Sequence, residues 1–383
     1  MVSEEASFPS FIYRAKGLRS LLIRNTRDQW LGAVLPGLFK QLTCIRSLNL
    51  SGSSIKEIPE EVGKLIHLRH LNLEDCVQLV SLPETMCDLC NLQSLDVNMC
   101  SSLIELPLVI VKLIKLRHLC IYKSGVAFMP KGIERLTCLQ TLDCFSVYGG
   151  GENESKAANI RELRNLNHIR GSLVIRNLRG GIRDVEGAIL ENKRLFCLEL
   201  HFCVNHEDII LIEVLQPPSH LERLSINGYG GISLPQWMMT LTNLEELELH
   251  GCGKLKVLPP LGRLPNLESL ELNRVGVRRL DDGVLGIEEV ENANINEEEI
   301  ARVTAFPKLK RLEISYLEEV EEWAGIERRL GEEDATKTSI CIMPQLQQLR
   351  IEYCPLLRAL PDYVWEMPRH VLNITACPDL RNR

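Results

Sequence analysis

Residues 92–107 read LQSLDVNMCSSLIELP, and residues 68–83 read LRHLNLEDCVQLVSLP. The two stretches begin 24 residues apart and place leucine-type side chains at the same offsets. A cysteine follows three residues after the last strand-type apolar residue, and Leu-Pro closes each phrase. In an extended backbone successive side chains point to opposite faces. The leucines of L-x-L therefore turn inward and the x residues outward.

The phrase recurs along the whole chain. It stands as IRSLNL at 45–50, LRHLCI at 116–121, LFCLEL at 195–200, LERLSI at 221–226 and LEELEL at 244–249. Further copies are LESLEL at 267–272, LKRLEI at 309–314 and LQQLRI at 346–351. LRSLLI at 18–23 opens the series, LQTLDC at 139–144 and GSLVI at 171–175 are degenerate members, and VLNI at 371–374 closes it. The second leucines fall at Leu48, Leu71, Leu95, Leu119 and Leu142, steps of 23, 24, 24 and 23 residues. Self-similarity at this period is the mark of a leucine-rich repeat. Each repeat must bury its apolar face on its neighbours, because no single copy closes a core. The fold class expected is α/β: a curved, horseshoe-like solenoid of about 13 or 14 repeats, with a parallel β-sheet on the concave face. The convex face carries short helices or 3-10 turns and loops; Val62, Leu65 and Leu68, spaced by three, suit such a turn.

Residues 1–383 are read as one repeat domain with irregular insertions at 148–171, 281–308 and 318–343. The steps Leu270 to Leu312 and Leu312 to Leu349, of 42 and 37 residues, mark the two larger insertions. Residues 281–340 hold 17 acids and 7 bases, a net of −10 against −7 for the whole chain, so the acidity is local. That balance speaks against nucleic acid as a partner, which needs a basic field. No apolar run reaches the length of a membrane span. The opening MVSEEASFPSFIYRAKG carries acids where a signal peptide carries bases, and an intracellular protein is expected.

The 14 cysteines are scattered, and free, mostly buried thiols are expected. Cys76, Cys100, Cys252, Cys354 and Cys377 share the slot after the strand, where a thiol can reach backbone of the adjacent repeat. A zinc site needs four convergent ligands, and a one-dimensional ladder does not converge. CDLC at 87–90 lacks the second pair that zinc would require, and no G-x-x-x-x-G-K-[ST] loop or H-E-x-x-H spacing occurs. No catalytic residue, cofactor site or metal site is therefore assigned, and the chain is not expected to be an enzyme.

The outward x positions carry the information. They read Arg46, Arg69, His70, Arg117 and His118 first, then Glu199, Glu222, Glu245, Glu246, Glu248, Glu268, Glu271 and Glu313. A concave face running from basic to acidic is a candidate partner surface, because complementary fields steer and select protein partners.

Several phrases go beyond a generic repeat: AFPKLKRLEISYLEEVEEW at 305–323, MPQLQQLRIEYCPLLRALPDYV at 343–364 and ITACPDLRNR at 374–383. With LRHLNLEDCVQLVSLPETMCDLCNLQSLDVNMC at 68–100, they resemble the repeat region of plant intracellular disease-resistance proteins of the coiled-coil nucleotide-binding class (NLRs). The resemblance implies recognition of a pathogen effector or a guarded, modified host protein. It also implies restraint of a switch built from nucleotide-binding and coiled-coil domains, in cis or in trans, in a cytoplasmic or nuclear setting. The alternative is a stand-alone repeat scaffold or adaptor for intracellular signalling. The first repeat shows no polar cap, so the chain by itself is expected to be poorly soluble.

Overall fold

The computed structural model describes residues 10–24, 30–148, 150–179, 189–203, 209–280, 282–286, 301–323 and 338–380. Contacts divide the chain into two compact units, Met1–Asn177 with Asn192–Arg194, and Leu178–Glu191 with Leu195–Arg383.

In the first unit, β1 (Ser20–Leu22), β2 (Ser47–Asn49), β3 (His70–Asn72), β4 (Ser94–Asp96), β5 (His118–Cys120) and β6 (Thr141–Leu142) form a parallel sheet in chain order. Leu21, Leu48, Leu71, Leu95, Leu119 and Leu142 are register partners, so the second leucine of every phrase stacks on the next. From Leu48 to Leu142 these residues are at most 1% exposed. Each buried leucine side chain contributes roughly 2 kcal/mol of hydrophobic free energy, and repetition of that contact holds the array together.

The exit from each strand is built the same way. The side chains of Asn49, Asn72 and Asp96 accept the N–H two residues on, at 2.9–3.0 Å. This Asx turn leads into a left-handed residue: Gly52, Asp75, Met99 and, in the next repeat, Lys123. The cysteine comes next. Cys76 Sγ donates to Leu50 O at 3.2 Å and Cys100 Sγ to Leu73 O at 3.0 Å, each the last strand apolar residue of the preceding repeat. Leu-Pro then fixes the start of the return: Pro59, Pro83 and Pro107 precede the 3-10 turns Glu60–Lys64, Glu84–Asp88 and Leu108–Lys112. A 3-10 turn also runs from Ile160–Asn165, capped by the Asn159 side chain, which accepts from Arg161 N at 2.9 Å.

Two features of this unit depart from simple repetition. Helix α1 (Trp30–Gln41) carries Gly32, Pro36 and Gly37 within it, yet buries Leu31, Leu35, Leu38 and Phe39 along one face. Spacings of four, three and one place those four residues on a single helical stripe, and tertiary packing outweighs poor propensity. The second departure is at LQTLDC. There β6 stops after two residues, and β7 (Cys144–Ser146) pairs instead with β8 (Arg170–Leu178). The Ile121 N–H, whose counterparts at Leu50, Leu73 and Val97 bond to a strand carbonyl, donates to the Asp143 carboxylate at 2.8 Å.

In the second unit, β9 (Arg194–Phe202), β10 (Arg223–Asn227), β11 (Glu246–His250) and β12 (Ser269–Asn273) run parallel. The sheet continues through β15 (Arg311–Ser315), β18 (Gln348–Glu352) and β19 (Leu372–Thr375). Leu270 pairs with Leu312 and Leu312 with Leu349, so the long steps are looped out without any loss of register. The stretches expected as irregular insertions contribute strands of their own. β13 (Arg279–Leu280) pairs with β16 (Glu322–Trp323), and β14 (Ala301–Ala305) with β17 (Thr338–Ile342). Helix α3 (Asp282–Leu285) also lies there; residues 281, 287–300 and 324–337 of these acidic stretches lie outside the described residues. The remaining helices are α2 (Ile209–Val214) and α4 (Asp362–Trp365).

The cysteine slot repeats in this unit: Cys252 Sγ reaches Ile226 O at 3.7 Å and Cys377 Sγ reaches Ile351 O at 4.0 Å. Burial pushes the Cys76 and Cys252 thiols up to about 11 and the Cys87, Cys100 and Cys354 thiols up to about 12. Such thiols hold little thiolate at neutral pH and react slowly. In the native protein a maleimide or iodoacetamide is expected to label the exposed Cys44, Cys90, Cys138 and Cys341, leaving the buried thiols for the unfolded chain. Peptide mass mapping checks this; native labelling of Cys100 at the rate of Cys90 would contradict the structural role of the slot.

Candidate recognition surface

In both units the strands turn one row of side chains into the core and leave the alternate rows on the open face of the sheet. On the first unit's open face, backbone bonds link Arg19, Arg46, Arg69, Gln93, Arg117, Gln140 and Arg170 in one row, each N–H donating to the residue before it at 2.7–2.9 Å. Beside it runs Ser20, Ser47, His70, Ser94, His118 and Thr141, set by strand register. Arg46, Arg69, His70, Arg117 and His118 therefore come together as the sequence suggests. Sequence reasoning missed Arg19 and Arg170. Arg19 was legible as the first x of LRSLLI, whereas Arg170 enters through a strand longer than the repeat pattern.

Arg19, Arg46, Arg69 and Arg117 are exposed and form no ion pair among the described residues. Arg170 donates to the Gln140 side chain at 2.9 Å, and His118 Nδ1 lies 3.0 Å from Thr141 Oγ1. The His118 pKa is lowered by burial first and then by the charges of Arg170, His70 and Arg117. These positive side chains thus share one field; the next row of the same face holds Asp96 and Asp143, and neither pairs with them among the described residues.

The second unit differs. Glu199, Ser225, Glu248, Glu271, Glu313 and Arg350 are register partners in one row. The next row holds His201, Asn227, His250, Asn273, Ser315 and Glu352. Most of its acids have partners within the sheet. His201 Nε2 lies 3.3 Å from Glu199, Arg223 Nε 3.8 Å from Glu246 and Lys310 Nζ 2.7 Å from Glu268. His250 faces two carboxylates, Glu248 at 3.5 Å from Nε2 and Glu271 at 3.7 Å from Nδ1. Gln348 Nε2 lies 3.5 Å from Glu313 Oε1. Glu245 is exposed, with no ion pair among the described residues. The hydrogen bond with Glu248 is the largest cause that raises the His250 pKa, and the same bond lowers that of Glu248.

Glu248, His250 and Glu271 bring ligand-type atoms within 4.8 Å of one another. Both imidazole nitrogens already face carboxylates, an arrangement that an imidazolium satisfies by itself. No helix among the described residues is long and apolar enough to cross a membrane.

A family model described as a leucine-rich repeat region matches residues 18–358. The chain belongs to the leucine-rich-repeat family. Two relatives of this leucine-rich-repeat chain come from Solanum bulbocastanum and are named as disease resistance proteins. One, RGA1, is 42% identical over 209 residues, 53% of this chain and 21% of the relative. The other, RGA4, is 33% identical over 329 residues, 84% of this chain and 31% of the relative. The expectation of a repeat region of the plant disease-resistance type is met by both. The chain spans less than a third of either relative's length. Among solved structures, a leucine-rich-repeat protein of Leptospira interrogans, LIC12759, superposes with a TM-score of 0.51 at 20% identity. The match covers 91% of this chain and 88% of that one, and it shows the fold.

Proposed function

We propose that this repeat region is a protein-recognition surface of plant innate immunity that also restrains a nucleotide-binding switch. The observation that carries the reading is the arginine row of the first unit, a line of exposed like charges with no ion pair among the described residues. Such a row is costly to assemble unless a complementary surface meets it. The names of the two relatives supply the setting. In this reading the arginine row meets an acidic surface of the nucleotide-binding or coiled-coil domains, in cis or in trans. The acid-rich face of the second unit is left for a pathogen effector or a guarded host protein. The chain then acts by binding and not by catalysis, inside the plant cell.

The test is a titration of the full chain with the nucleotide-binding module of a disease-resistance protein of this type. The triple substitution Arg46→Glu, Arg69→Glu, Arg117→Glu is expected to weaken binding by at least about tenfold and to flatten its salt dependence. Unchanged affinity at low salt would sink the assignment of the arginine row. Reversal of Glu246 or Glu248 is a poorer test of the second face, because each is held by a partner within its own sheet.

A further inference from the structure

Five repeats place a cysteine in the slot after the strand, but the slot does not hold them all alike. In the first unit Cys76 and Cys100 are fully buried, and each thiol donates to a carbonyl of the preceding repeat, at 3.2 Å and 3.0 Å. At the last two rungs of the second unit the hold is looser. Cys377 Sγ reaches Ile351 O only at 4.0 Å and also turns to Thr375 O, two residues back in its own strand, at 3.5 Å. Cys354 Sγ likewise turns to its own strand, to Glu352 O at 3.4 Å.

These two free thiols are neighbours. Glu352 is the register partner of Thr375, and Tyr353 N donates to Thr375 O at 3.0 Å, so pairing persists where the strands end. Cys354 and Cys377 stand two residues after those partners, on adjacent rungs about 4.8 Å apart. A disulfide joins residues whose Cα atoms lie roughly 4.4–6.8 Å apart. The Cys377 side chain also acts on the Cys354 thiol, as a hydrogen-bonding neighbour and through its charge. The two differ in access: Cys354 is fully buried and Cys377 only half-buried.

We propose that Cys354 and Cys377 form a reversible redox pair, a dithiol that hydrogen peroxide converts into a disulfide linking the last two rungs. The more accessible Cys377 reacts first. Its sulfur forms an S–O bond as the peroxide O–O bond breaks, giving a sulfenic acid and one water. The Cys354 sulfur then attacks the sulfenic sulfur. The S–O bond breaks, and the hydroxyl leaves with the Cys354 proton as a second water. In all, the thiols lose two electrons and two protons, and the peroxide is reduced to water. Burial keeps Cys354 slow toward oxidants in solution, but the sulfenic sulfur is held beside it. The link acts on the weaker rung. Leu349 and Ile351 are fully buried, whereas Leu372 and Ile374 of the last rung are half-buried. A covalent bond there fastens the last rung to the one before it. In a reducing compartment such a bond is transient, which suits a sensor better than a permanent staple.

The experiment treats the full chain with hydrogen peroxide, removes it, unfolds the chain in urea with N-ethylmaleimide and maps the peptides without reduction. A Cys354–Cys377 cross-link that dithiothreitol removes is expected, while Cys76 and Cys100, in the same slot on adjacent rungs, stay reduced. On oxidation, amide hydrogen exchange at residues 371–377 is expected to slow at least about fivefold. In Cys354→Ala, dimedone is expected to capture Cys377 as the sulfenic acid. The mapping uses the wild-type chain, so it stands whether or not the variant folds. Recovery of Cys354 and Cys377 as maleimide adducts when Cys90 is fully oxidised overturns the proposal. So does equal cross-linking of Cys76 to Cys100, or unchanged exchange on oxidation. A folded Cys354→Ala without a dimedone adduct at Cys377 overturns the order of attack.

Discussion

Gly276→Ala is expected to destabilise the second unit by about 3 kcal/mol, at the upper end of overpacking effects. The Gly276 N–H donates to the carbonyl of the slot cysteine, Cys252, at 3.1 Å. A Cβ at this position would run into the carbonyl oxygen of Gly253, with Lys256 Nζ at 3.2 Å behind it. Backbone cannot yield as a side chain does, so the repeats would have to separate. Gly125 repeats the arrangement in the first unit: its N–H donates to Cys100 O at 3.1 Å, and a Cβ would meet Ser101 O and Leu103 O. Each glycine stands two residues after a left-handed residue, Lys123 or Arg274. Gly253→Ala is the control, since a Cβ there meets nothing within 4 Å. Urea unfolding of the two variants checks the claim: equal midpoints would remove backbone approach as the cause.

Lys193 is the second large effect. It is 2% exposed, and its Nζ donates to Leu163 O at 2.7 Å and Leu166 O at 3.1 Å, closing the Ile160–Asn165 turn. Lys193→Ala is expected to cost on the order of 3 kcal/mol, because it removes a buried donor shared by two carbonyls, leaves each with only its backbone N–H partner, and opens space around them. The pH dependence is a sharper signature. Burial pushes the Lys193 pKa from 10.5 down to about 8. Between those values the unfolded chain keeps a proton that the folded chain has released, so stability rises with pH across that window, by at most about 3 kcal/mol. The buried thiols pull both chains the other way as the unfolded cysteines ionise, so the check is a difference: from about pH 7.5 to 10 the wild type should gain melting temperature relative to Lys193→Met. An identical slope in both would assign the effect elsewhere.

Lys193 also shows where sequence reasoning stops. Nothing in ENKRLFCLEL distinguishes it from Arg194, one residue on, which is exposed. The acidic row gives the same lesson. Glu199, Glu246, Glu248, Glu268 and Glu271 read as free charges along the chain, but their partners His201, Arg223, His250 and Lys310 mostly come from a neighbouring row or repeat. The arginine row was legible because its members recur at one offset of a strict period. The looser hold on Cys354 and Cys377 was not, since the slot reads the same at every rung where a cysteine fills it.

The cysteine of LQSLDVNMCSSLIELP marks the boundary between the two kinds of information. Its place after the strand, the stacked leucines around it and the proline that starts the return follow from spacing, because period-two alternation and a fixed repeat length dictate which side chains meet. The sequence by itself thus determined the parallel sheet, the buried ladder and the side on which any message is displayed. The tertiary structure decided the rest. It made a helix of WLGAVLPGLFKQ against its propensity and broke the first sheet at Asp143. It paired strands inside the acidic insertions, neutralised most of the glutamate row and left the arginine row bare. Each of these depends on groups far apart in the chain that only neighbouring repeats bring within reach, and local pattern carries no record of them.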